Sequence, residues 1–121
     1  MAKNEKPIKV KERKFIVECI HLYSKLHPLW NIKSKVYYDR DKKNAAYKIL
    51  LSKYKEMFPK ATKHDVRKKF NSLRTNYRKE LKKHLQSRAS GETYQSSLWY
   101  YKEMSFLQDQ EGDTESTNFD N

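Results

Sequence analysis

Six apolar residues mark the most regular stretch of this chain: Val66, Phe70, Leu73, Tyr77, Leu81 and Leu85, in steps of four, three, four, four and four. At about 100° per residue they fall on one stripe, so residues 62–88 are predicted to form an amphipathic helix. Thr62, with Asp65 three residues on, gives a capping-box-like start after the breaker Pro59. Gly91 gives the stop, because it can take the left-handed conformation that terminates helices.

The same spacing predicts two earlier helices. Phe15, Ile16, Cys19, Ile20 and Tyr23 set the apolar face of the first, from about Arg13 to Lys25. Pro28 biases His27 away from helical backbone and ends it, and Trp30 close behind is expected to plug the core. Residues 31–40 read as a loop, with Val36, Tyr37 and Tyr38 returning to the core edge. Asp39 or Asp41 is expected to cap the second helix, about Asp41 to Met57. Its buried side is predicted as Ala46, Ile49, Leu50 and Met57, flanked by Ala45, Tyr47 and Tyr54. The short junction from Phe58-Pro59 into the third helix suits a helix-turn-helix crossing.

A third helix of that length spans about 40 Å at 1.5 Å per residue, more than two short helices can cover. The apolar run from Leu98 to Leu107 is therefore expected to form a short final helix or turn, packed near Tyr77, Leu81 and Leu85. The predicted fold is all-α, a three-helix helix-turn-helix bundle with a short C-terminal helix on the long third one. Its expected core includes Trp30, Tyr47, Phe70, Leu73, Tyr77, Trp99 and Phe106. Residues 1–12, lysine-rich and without a period, read as a disordered basic arm, 13–108 as the folded domain, and 109–121 as a disordered acidic tail.

Charge sharpens this picture. The 27 basic and 15 acidic residues give a net charge of +12. Residues 108–121 hold five acids and no bases, which leaves +17 on residues 1–107. Such a charge implies a polyanionic partner, nucleic acid first and an anionic membrane surface second. Between Lys63 and Arg88 there are ten basic residues against two acids, Asp65 and Glu80. Arg67, Asn71, Arg74, Arg78 and Lys82 fall side by side on the helical wheel, with Lys68, Thr75 and Lys79 beyond them. A merely solvated face tends to mix signs for i,i+4 pairing, and this one hardly does. Arg74 lies nearest the apolar edge, where an ion pair with Glu18 or Asp39 suits it as well as a phosphate does.

Other chemistry finds little support. The four histidines share no ligand spacing with one another or with Cys19, and two glycines cannot build a phosphate-cradling loop. No metal, cofactor or catalysis is expected. A lone cysteine makes no internal disulfide, as expected of a reducing intracellular compartment, and Cys19 reads as core rather than as a reactive thiol. No run of eighteen apolar residues suggests a membrane span, and the N-terminal lysines lack the apolar stretch of a secretory signal.

The order of landmarks resembles the MADF domain. It is carried by Phe15-Ile16, His27-Pro28-Leu29-Trp30, Ala45-Ala46-Tyr47-Lys48-Ile49, the run from Val66 to Tyr77, and Trp99-Tyr100-Tyr101 with Met104-Ser105-Phe106-Leu107. The resemblance covers about residues 13–108 and implies a Myb/SANT-like helix-turn-helix fold whose third helix recognises DNA, in a nuclear transcriptional regulator. Tyr47 and Phe70 stand where the family usually has Trp, and Asn31 where it has an acid.

With double-stranded DNA as the expected partner, the N-terminal half of the third helix points into the major groove. Arg67, Lys68, Asn71 and Thr75 are then assigned to base edges, and Lys63, Arg78, Lys79 and Lys82 to phosphates. The alternative is a protein-interaction module that recruits transcription or chromatin factors. A membrane- or calmodulin-binding helix would need its apolar stripe free, yet that stripe is expected to serve as core.

Overall fold

The computed structural model describes the backbone of residues 2–111 and the side chains of residues 9–110. The described residues form four α-helices, α1 (Ala2–Lys25), α2 (Arg40–Tyr54), α3 (Lys63–Ala89) and α4 (Gln108–Glu111), with three short 3₁₀ segments and no strand. Two compact units meet inside α3, with the boundary between Val66 and Arg67.

In the first unit, α1 buries Phe15, Ile16, Cys19, Ile20 and Tyr23, the face predicted for it. The helix itself extends further back than the expected start at Arg13. Lys, Glu, Arg and Ala have high helix propensity, and added residues extend a formed helix without a new nucleation step. Those terms offset Pro7, which costs the segment a backbone donor. The carbonyl of Tyr23, near the end of α1, accepts from the Leu26 N–H at 2.9 Å and from the Trp30 indole Nε1–H at 3.0 Å. Trp30 is 6% exposed, so the indole plugs the core and also satisfies a helix-end carbonyl.

The loop that follows contains two 3₁₀ turns, His27–Leu29 and Lys35–Tyr38. Asn31 keeps a loop cap without an acid: its Oδ1 accepts from the Lys33 N–H at 3.2 Å, and its Nδ2 donates to His27 Nδ1 at 2.9 Å. Tyr38, expected at the core edge, is 75% exposed, and Tyr37 is half-buried. Asp39 is the N-cap of α2, where its carboxylate accepts from the Lys42 N–H at 3.0 Å.

α2 buries a narrower stripe than predicted: Ala46, Leu50 and Tyr54, spaced by four. Ile49 lies about 100° from Leu50 around the helix and is 50% exposed, while Tyr47 and Met57 are half-buried. Phe15 of α1 meets Tyr54 and Phe58 with ring centroids 6.4 and 6.1 Å apart. Beside them Lys53 bonds Glu18 at 2.7 Å and Glu56 at 3.1 Å. The lysine hydrogen bond holds the Glu18 carboxyl below the usual carboxylate range.

In the second unit, residues 92–107 fold back on α3. The hydroxyl of Tyr100 donates to the Leu73 carbonyl at 3.4 Å, and the Tyr101 ring lies 5.1 Å from that of Tyr77. This is the packing expected of the final segment, but its register differs by one residue. Tyr100, Met104 and Leu107 are buried, Phe106 is half-buried and Trp99, expected in the core, is 37% exposed. Trp99 instead sets its ring edge against Tyr100, at 4.9 Å and 82°. The chain runs on through α4, which takes up Asp109, Gln110 and Glu111, the first residues of the tail expected to be disordered, and buries Gln110; from Gly112 that tail lies outside the described residues.

Candidate nucleic-acid interface

α3 starts where its capping box dictates. The Thr62 N–H donates to Asp65 Oδ2 at 2.8 Å, and the Asp65 N–H donates to Thr62 Oγ1 at 3.2 Å. This reciprocal pair satisfies orphan donors at the helix start. The other end is a Schellman motif: the Glu92 N–H reaches the Ser87 carbonyl at 2.9 Å, and the Gly91 N–H reaches that of Arg88 at 3.2 Å. Gly91 has φ +82°, the left-handed conformation this closure requires.

Between these caps the helix divides cleanly. Val66, Phe70, Leu73, Tyr77 and Leu81 are all buried, and Leu85 is half-buried. Arg67, Lys68, Asn71, Thr75, Arg78, Lys79 and Lys82 are exposed, as is Lys63 in the first turn. The residues assigned to base edges and those assigned to phosphates thus share the solvent side of one helix. Lys69 and Arg74 are half-buried. Of the acids considered for Arg74, Asp39 caps α2 and Glu18 pairs with Lys53.

Lys63 is held in place. Its Nζ bonds Asn44 Oδ1 at 3.0 Å and lies 5.4 Å from the centre of the Tyr47 ring, so two α2 side chains fix the first basic group of the helix.

The one acid on α3 beyond its first turn is turned to another task. Glu80 accepts from the Tyr94 hydroxyl, from Ser96 Oγ at 2.9 Å and from Lys83 Nζ at 3.5 Å. The tyrosine hydrogen bond contributes most to lowering the Glu80 carboxyl pKa, and its counterpart raises that of Tyr94. Glu80 therefore ties the 92–98 loop to the helix, and its charge is compensated locally rather than set among the exposed lysines. Sequence reasoning missed this tether. A lone glutamate in a basic helix opposite a Tyr-X-Ser loop is a signal only once loop and helix are known to touch.

The four histidines gather no ligands: among the described residues no three His, Cys, Asp or Glu side chains are placed to hold a metal ion. No described helix is long and apolar enough to cross a membrane. Cys19 is fully buried, and that burial pushes its thiol pKa up to about 12.

A family model described as alcohol dehydrogenase transcription factor, Myb/SANT-like, the MADF DNA-binding domain, matches residues 19–107. No curated protein and no solved structure matches the chain.

Proposed function

The chain belongs to the MADF family of Myb/SANT-like DNA-binding domains, and from that premise we propose that it is the sequence-reading module of a nuclear transcriptional regulator, with α3 in the major groove of double-stranded DNA. The observation that carries this reading is the division of α3. Its apolar stripe is buried, its exposed side carries Arg67, Lys68, Asn71, Thr75, Arg78, Lys79 and Lys82, and its one interior acid is tied to a loop. Phosphate contacts supply affinity and register, whereas base-edge contacts supply discrimination. Arginine and lysine in the first half of the helix suit guanine, and Asn71 suits adenine N6 and N7. Arg78, Lys79 and Lys82, further along, act as point charges for the backbone. The module binds and does not catalyse.

Selection from randomised duplexes with the full chain tests the reading. Asn71→Ala should relax preference at one base pair, by about 1–3 kcal/mol of discrimination. Lys82→Ala should weaken all sequences alike. Equal losses on selected and random duplex for both variants would remove base reading from Asn71.

One observation favours the protein-interaction reading as a second role. A shallow groove on α1 and α2, lined by Leu22, Lys48, Ile49, Ser52, Lys53 and Glu56, leaves Ile49 half exposed. If the groove recruits other transcriptional regulators, Ile49→Asp should abolish that recruitment and leave duplex binding intact.

A further inference from the structure

The strand-free corner between the second 3₁₀ turn and α2 carries a second concentration of charge. Within residues 33–43 there are five bases, Lys33, Lys35, Arg40, Lys42 and Lys43, against Asp39 and Asp41. Asp39 spends its carboxylate on the Lys42 N–H as the α2 cap, and Asp41 sits in the first helical turn. Lys35, Arg40 and Lys42 are exposed.

Among them stands Tyr38, the most exposed large hydrophobic side chain among the described residues at 75%. Its ring meets the Tyr37 ring edge-on, 5.1 Å away at 85°, and Lys43 Nζ lies 3.7 Å from the Tyr37 centroid. Tyr38 is therefore braced from behind while its other side faces solvent. A braced aromatic among exposed cations suits contact with a ligand better than burial.

The corner also adjoins the start of α3. Asn44, whose side chain holds Lys63, lies one helical turn from Arg40, so both fall on the same row of α2. The row leads from the first basic residue of α3 back to Arg40 at the α2 N-terminus, two residues after Tyr38.

We propose that Lys35, Tyr38, Arg40 and Lys42 form a second DNA contact, which takes backbone phosphates. The inference rests on the DNA reading above and extends the interface to a second element. The ammonium and guanidinium groups supply charge, and the Tyr38 hydroxyl donates a hydrogen bond to a phosphate oxygen. None of these residues reads a base. They add affinity and salt dependence, not preference.

Acetylation of lysine amines in the full chain, with and without a selected duplex and read by mass spectrometry, tests this directly. Duplex should protect Lys35 and Lys42 together with Lys82. Protection of Lys82 alone overturns the second contact and leaves the α3 reading in place. Protection of Lys35 and Lys42 alone keeps the contact and displaces α3. Protection of none overturns both. The charge-removing triple variant Lys35→Gln, Arg40→Gln, Lys42→Gln gives an independent readout. Three lost phosphate contacts should flatten the slope of log K against log salt by about 2–3 with base preference unchanged. A wild-type slope in the variant overturns the proposal.

Discussion

What an indole contributes depends on its surroundings more than on its size, and Trp30 and Trp99 differ in this respect. Trp30 is 6% exposed and its Nε1–H satisfies the Tyr23 carbonyl near the end of α1. Trp30→Ala should cost about 3–5 kcal/mol, enough to unfold much of a domain this small. Trp99, 37% exposed, should cost less by the same change, since part of its indole already faces solvent in the folded protein. Urea denaturation of both variants checks the contrast, and equal losses would contradict it. Nothing in the sequence separates these two residues. Leu98, Trp99, Tyr100 and Tyr101 are all able to fill a core, and such a run has no period to say which one points inward. Tyr100 goes inward, where its hydroxyl reaches the Leu73 carbonyl; Trp99 stays at the surface.

α3 is the opposite case. Its capping box, its buried stripe and its glycine stop could all be read in advance, because each rests on local geometry: a period of 3.6, a hydroxyl and carboxylate three residues apart, and a residue without Cβ. The wider α2 face failed for want of that locality, since the width of a buried stripe is set by what packs on it. Gly91→Ala isolates one such local term. A Cβ at Gly91 would meet no atom within 4 Å, so the cost comes from the left-handed φ alone, about 1–2 kcal/mol. A neutral substitution in thermal unfolding would mean that the Schellman turn does not constrain the helix end. The Glu80 tether sets a pH dependence for the same element. Its carboxyl pKa is lowered below the ordinary 4.5, so its stabilisation is complete above that value and is lost as pH falls through the lower, folded value. Glu80→Gln should remove about 1–2 kcal/mol at neutral pH and flatten the loss of stability as pH falls below 4.5. An unchanged acid limb in the variant would assign that dependence elsewhere.

For the molecule as a whole, a net charge of +12 with +17 ahead of residue 108 makes binding to a polyanion mainly a matter of released counterions. If α3 neutralises about five phosphates, log K should fall against log salt with a slope on the order of −4 to −5, and a nearly flat response would favour the protein-partner role instead. Cys19 offers a separate view of the same complex. As the one cysteine of the chain, fully buried and with its thiol pushed up to about 12, it is silent toward a thiol reagent while the α1–α2 core is closed. The wild-type protein thus carries its own clock for opening events, with no label to introduce. Where the core recloses faster than the reagent attacks, the labelling rate counts the open fraction. Duplex at a hundred times its dissociation constant should then slow the clock about a hundredfold if the opening that exposes Cys19 also releases the DNA. An unslowed clock would report that the first unit opens while the second still holds its duplex.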